Sequence, residues 1–409
     1  MGRIRIGTIA RDHRQLENHS PEWHRVMRLL WCASRMQFRL HQPPGILTVA
    51  LLLLYGNCLR ACGDSFVFVS LLQERKIVTF SRHVETGELV RQHDTICPAE
   101  PAFLAASNDG KVLFVSLRSS GQLAAYRIDS ANGTLTLINT VDGGDDPAFL
   151  VTDRSGKFLL TAYYVSNKVT VHQIASSGRI SESPVQSLAT AANAHGIAID
   201  SKNETVYVSH TGANRIYQFS FDAATGRLTP LDPPFVSAKA GQHPRHIVLH
   251  PSDNWAYCSN EAGNSEEDGA SMYNRNAVSK SLSLSQSSSS VPDDFDANKN
   301  STARCLITPN GRFLYVANRG HDSIAGYEID KMSGQLTQIA VTPTEAVPRS
   351  FTITPDGRHL YVAGEASGRV AGYRTTVAGK LEPVSTIESG PVSWAILAVD
   401  PQRLSPAGM

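Results

Sequence analysis

The chain is predicted to be all-β: a seven-bladed β-propeller of four-stranded antiparallel blades, closed by pairing its N- and C-terminal strands in one blade. Three observations predict this. First, one phrase keeps returning. It reads SNDGKVLFVS at 107–116, TDRSGKFLLT at 152–161, IDSKNETVYVS at 199–209, HPSDNWAYCS at 250–259, TPNGRFLYVA at 308–317 and TPDGRHLYVA at 354–363. Gly110 to Gly156 and Gly311 to Gly357 are both 46 residues apart, a spacing that suits one propeller blade per repeat. Second, each repeat alternates apolar and polar residues in short runs bounded by Gly, Pro, Asp and Asn, the mark of antiparallel strands joined by tight turns. Third, the repeat region begins and ends on unmatched strands that together make one blade.

Residues 348–387 show one unit. Arg349–Ile353 is a strand, Pro355-Asp356-Gly357 a hairpin and His359–Ala363 the return strand. Arg369–Tyr373 and Leu381–Ile387 follow, the last after an Ala-Gly turn. Four strands in roughly 45 residues make a blade. Innermost strands are expected to begin near Pro101, Pro147, His195, Pro244, Ala303 and Pro348, with a seventh near Val392. Ser65–Ser70 reads as a second strand without a first, and the strand near Val392 supplies it. That closure removes a sheet edge that would otherwise pair with other chains. The serine-rich stretch Ser279–Ser290 is read as the outer part of the fifth blade.

The propeller is assigned to 64–409 and a leader to 1–63. Arg35 and Arg39 precede an apolar run of 11 residues, Gly45–Tyr55, followed by small or polar residues to Cys62-Gly63. The run is too short to span a bilayer comfortably. It resembles a secretory signal, which would export the protein to the periplasm. A signal this far into the chain implies a start at Met27 or Met36; otherwise the leader is an overlong start. Lys+Arg total 38 against Asp+Glu 37, a net charge of +1, which leaves no dense basic face for nucleic acid. The six cysteines are scattered and show neither a disulfide framework nor metal-ligand spacing. Cys258 and Cys305 fall in strands and read as small buried residues. Oligomeric state is not legible.

Propeller geometry puts the residues before strand one and after strand two on one face. Before strand one stand Asn193-Ala194-His195, His243-Pro244-Arg245-His246, Arg304 and Pro348-Arg349. After strand two stand Arg118, Tyr164, His210, Asn260-Glu261, Asn318-Arg319-Gly320-His321 and Gly364-Glu365. Blades two and three bring only Pro101-Ala102 and Pro147-Ala148 to strand one, so the polar groups are expected to gather on one side. Arginines, histidines and a carboxylate in one mouth suit a small anionic, oxygen-rich substrate, because guanidinium forks match carboxylate or phosphate. Each has a plainer use: a loop arginine is usually solvated, and His250 sits in a hairpin. His246 and His250 lie on a strand, not a helix, so no zinc site is expected. Glu261 can pair with Arg245 or Arg319, which would keep it ionised.

Three runs, GQHPRHIVLHPSDNWAYCSNE (241–261), TPNGRFLYVANRGHDSIAGYEID (308–330) and PTEAVPRSFTITPDGRHLYVAG (343–364), resemble the seven-bladed propeller lactonases. That family is typified by the bacterial propeller form of 6-phosphogluconolactonase and includes a fungal carboxymuconate lactonising enzyme. The resemblance covers about 64–400. It implies catalytic roles for His195, Arg245, Glu261 and Arg319 and substrate contacts from His246, Asn260 and Arg349. It implies hydrolysis of 6-phospho-glucono-1,5-lactone without metal or other cofactor, and a cytoplasmic setting if the leader is not a signal. Arg304 departs from it, standing where members usually carry an acid. Alternatives are an unphosphorylated lactone, a lactone-forming isomerase, a calcium- or zinc-dependent lactonase or a non-catalytic binding propeller. The last should show exposed aromatics on its binding face.

Overall fold

The computed structural model describes residues 65–262 and 269–401. The leader assigned to 1–63 lies outside the described residues, and with it the export reading. Seven antiparallel four-stranded sheets form the fold. In chain order the complete blades are II (101–142), III (147–189), IV (194–237), V (244–288), VI (302–343) and VII (348–388). Blade I is the closing one. Its innermost strand is Ser393–Val399, followed outward by Ser65–Leu71, Lys76–Arg82 and Leu89–Ile96. Phe66 pairs with Val399 and Ser70 with Ala395. The serine-rich stretch is the outer strand of blade V, Leu282–Ser288.

The core lies between blades. Strand two of each blade is buried on both sides, which is why the repeated phrase is mostly apolar there. Its tyrosine also ties neighbouring blades. Tyr257 Oη donates to Gly334 O at 2.8 Å, Tyr315 Oη to Gly379 O at 2.8 Å and Tyr361 Oη to Gly87 O at 2.7 Å. Each acceptor sits in the next blade's outer hairpin, so a buried hydroxyl is satisfied and a blade-to-blade angle is set. Gly334 must be glycine, since its φ is +74° and a Cβ would lie 2.4 Å from the Trp255 ring.

One local device positions the site. The innermost strands carry a register shift at their start. In blade IV, Ala194 pairs with His210 and Gly196 with Ser209, leaving His195 as the extra residue of a β-bulge. Arg245 of blade V, Arg349 of blade VII, Ala148 of blade III and Trp394 of blade I occupy the same station. A bulge re-aims its side chain out of the sheet's alternation. A left-handed residue precedes the strand in five blades: Asp146, Asn193, His243, Val347 and Val392.

Strand-two serines hold the bulges. Ser209 Oγ accepts from Gly196 N at 3.1 Å and donates to Arg245 O, in the next blade, at 2.7 Å. Ser259 Oγ accepts from His246 N at 3.3 Å and donates to Ala303 O at 2.6 Å. Ser70 repeats the pattern with Ala395 N and Ala102 O.

Candidate active site

A second station completes the mouth. The residue after strand two donates its backbone N–H to the residue before strand one: Arg118 to Glu100, Tyr164 to Asp146, Thr211 to Asn193, Glu261 to His243, Arg319 to Ser301 and Glu365 to Val347. These rim residues surround the bulge residues. Between them lies a pocket lined by Arg118, Tyr164, His195, Arg245, His246, Glu261, Arg349 and Trp394 among others.

Glu261 is the hub of one side. Its Oε1 accepts from Arg319 Nη2 at 2.8 Å and lies 3.4 Å from Arg245 Nε. Arg319 Nη2 also donates to Ser301 Oγ at 2.6 Å and Thr302 O at 3.1 Å. Burial alone would raise the Glu261 pKa, but Arg245 and Arg319 outweigh it and hold the carboxyl below its ordinary value. Arg245 is almost wholly buried. Burial, then the nearby Arg319, weaken its hold on the proton, and Glu261 opposes them.

Two histidines are neutral. His195 is pushed well below its ordinary pKa, first by burial and then by Arg245 and Arg349. No hydrogen bond reaches its ring among the described residues. Its neighbours are the edge of Tyr164 at 5.8 Å and the His246 ring at 5.1 Å, and its buried Nδ1 has no partner. His246 is lowered by burial and then by Arg245. It packs edge-on against Phe149 at 5.3 Å, and its Nε2 accepts from Arg245 Nη1 at 3.3 Å. Only the tautomer protonated on Nδ1 can accept there.

The other side is a cationic shelf. The Arg349 guanidinium stacks 3.5 Å from the Trp394 ring centroid, and Arg118 approaches the same ring at 4.9 Å. Arg349 is braced by Glu365 at 3.2 Å and Arg118 by Asp146 at 2.7 Å. Burial lowers Arg349 to about 10, with Glu365 opposing, so it stays charged at neutral pH.

The residues expected from sequence separate cleanly. His195, Arg245, Glu261, His246 and Arg349 line the pocket, and Arg319 joins it through Glu261. Asn260 does not. It is the last residue of strand two, one step out of phase with Glu261, so its side chain enters the blade and donates to Ser271 Oγ at 2.8 Å. His210 is out of phase in the same way: fully buried, against Tyr217, with its pKa lowered by burial to about 4. His250 is structural, bonded to Gly311 O at 3.0 Å. Arg118 of blade II and Tyr164 of blade III, both expected at the mouth, do line the pocket, so its polar groups are not confined to one side. Trp394 was missed. The signal for it was the expected strand start at Val392, which puts Trp394 at the bulge station.

A family profile described as "Lactonase, 7-bladed beta-propeller" matches residues 67–396. Among curated proteins, a 6-phosphogluconolactonase of Bacillus subtilis is 31% identical over 266 residues, 61% of this chain and 73% of the relative. One from Blochmanniella pennsylvanica is 31% identical over 266 residues, 65% of this chain and 77% of the relative. Among solved structures, a Bacteroides fragilis protein provisionally assigned as a 6-phosphogluconolactonase superposes with TM-score 0.74 at 24% identity, covering 83% of this chain and 98% of its own. The periplasmic gluconolactonase of Pseudomonas aeruginosa superposes with TM-score 0.73 at 21% identity, covering 82% and 99%. At those identities the two structures speak for the fold alone.

Proposed function

Because the chain belongs to the seven-bladed β-propeller lactonases, a family of lactone hydrolases, we propose that it opens 6-phospho-glucono-1,5-lactone by general acid–base catalysis without a metal. The observation that carries this reading is an imidazole, His195, with no hydrogen bond among the described residues and a pKa lowered by burial, on the strand-start bulge next to that of a buried guanidinium, Arg245. Relatives about 31% identical described as 6-phosphogluconolactonases support the substrate.

Water attacks the ring carbonyl while His195 takes its proton. The carbonyl oxygen becomes an oxyanion beside Arg245. Loss of one well-placed donor of this kind costs about 3–4 kcal/mol of transition-state stabilisation. The tetrahedral intermediate collapses, the bond to the ring oxygen breaks, and His195 returns the proton to that leaving oxygen. A lowered histidine pKa leaves the base free at neutral pH and makes its conjugate acid a ready donor. Glu261 Oε1 is held by Arg319 and lies beside Arg245. It acts by holding Arg245 and Arg319 in place. His246 serves the same end through its contact with Arg245 and does not hold the phosphate. The phosphate goes to Arg349 and Arg118, both of which lie against Trp394. The pocket's carboxylates are each tied to an arginine, a poor setting for a divalent cation.

The test is decay of freshly made 6-phosphogluconolactone, with chelator present, against its spontaneous hydrolysis. The protein is expected to accelerate it, and His195→Ala to lower kcat by about 10²–10⁴. A folded protein that gives no acceleration moves the assignment to an unphosphorylated lactone.

A further inference from the structure

The station just below the bulge residues forms the next layer of the central channel. Six of its seven positions are Phe103, Phe149, Gly196, His246, Ser350 and Ala395, all neutral, with His246 neutral as described. The seventh is Arg304, on the innermost strand of blade VI. Its guanidinium reaches across the ring. Nη1 donates to Ser350 Oγ at 3.2 Å and to Ile396 O at 3.3 Å, and the group lies 5.1 Å from the Phe103 centroid in blade II. Phe103, Ser350 and Ala395 also line the pocket, so Arg304 lies against the pocket floor.

Arg304 is only 8% exposed. Every other arginine lining the pocket or contacting it has a carboxylate within 4 Å; among the described residues Arg304 has none. Two residues further along the same strands the side chains are aliphatic except Thr352, so the layer beneath offers no counter-charge either. A buried cation held only by neutral acceptors is costly. Three of its five N–H donors lie on Nε and Nη2, beyond the two bonds made from Nη1.

We propose that Arg304, with Ser350, forms an anion-binding site in the central channel beneath the pocket. Its ligand is a small anion, either free in solution or the phosphate of the substrate. The second source rests on the hydrolysis proposed above and would place the phosphate at Arg304 in the channel instead of on the Arg349 and Arg118 shelf; the site itself rests on neither.

Bromide is the probe. Crystals soaked in sodium bromide are expected to show anomalous scattering within hydrogen-bond reach of the Arg304 guanidinium, absent in Arg304→Met. In solution, the wild-type unfolding temperature is expected to rise with bromide beyond an ionic-strength control. Arg304→Met and Arg304→Gln should each lose part of that rise, while Arg349→Met retains the Arg304 part. Kinetics then separate the sources. Competition between bromide and the phosphorylated lactone, with KM raised at least tenfold in Arg304→Met, identifies the substrate's phosphate. Absence of competition identifies a free resident anion. No bromide at Arg304, or an undiminished bromide response in both Arg304 variants, overturns the proposal. The scattering and unfolding readouts hold even if the phosphorylated lactone proves not to be the substrate.

Discussion

Replacing Glu261 by Gln removes one negative charge from between two guanidiniums. Glu261 Oε1 is 2.8 Å from Arg319 and 3.4 Å from Arg245. At an effective dielectric of 20, each such pair is worth roughly 5–6 kcal/mol before desolvation is counted. The Glu261 side chain is 28% exposed, so water screens part of that. The two arginines are not equally affected. Arg319 keeps Ser301 Oγ and Thr302 O as acceptors. Arg245, with a side chain only 4% exposed, keeps only His246. A buried pair broken from one side costs about 3–5 kcal/mol. The lower end applies here, and the variant is expected to lose about 3 kcal/mol, a fall in Tm of about 4 °C. Its kcat should fall at least ~100-fold as Arg245 loses its brace. Arg245→Met is the control: Glu261 still has Arg319, so stability should change by about 1 kcal/mol or less while kcat collapses. Thermal unfolding with initial rates on both variants and their double mutant checks the asymmetry. Glu261→Gln melting with the wild type while Arg245→Met melts far below it would refute the reasoning.

Three further outcomes are expected. His172 and His210 have folded pKa values lowered by burial to about 4, and His195 and His246 are lowered too. The unfolded chain then binds more protons below about pH 6.5, so stability should be full above that pH and fall as pH drops toward 4. The slope is about 1.4 kcal/mol per unit for each histidine, and denaturant titrations at pH 7 and pH 5 measure it. Ser209→Ala breaks the link between the His195 and Arg245 bulges at a cost of about 1–2 kcal/mol. It should lower kcat with KM little changed, and Ser209→Thr should recover part of the loss. Arg349→Met should raise KM for a phosphorylated lactone about tenfold or more and leave an unphosphorylated lactone nearly unaffected, as paired Michaelis curves would show.

Much of this was legible because the repeat carries its own ruler. The innermost strands begin within a residue of the expected positions, and the closing blade is built as the unmatched ends implied. His195, Arg245 and Glu261 could be placed because they precede or follow strands whose ends were readable. What failed was parity. Their place at the end of strand two puts His210 and Asn260 near the mouth, but side chains alternate along a strand and both fall on the buried phase. The bulge was also invisible, since it leaves no residue-type signature. Only pairing partners reveal that each strand start carries residues with no opposite number. The reach of Arg304 across the ring depends on tertiary distances that no local pattern encodes.

The closing blade sets the order in which the molecule can become functional. A ribosome delivers Ser65–Leu71 some 300 residues before Ser393–Val399, roughly 15–60 s of synthesis at 5–20 residues per second. Through that interval the first of these strands waits with one edge unpaired, an apolar template open to other nascent chains. Trp394 arrives with the strand that covers it. The cationic shelf is therefore among the last parts of the pocket to be assembled, and a chain released before residue 393 could hold six finished blades yet have no complete place for a substrate.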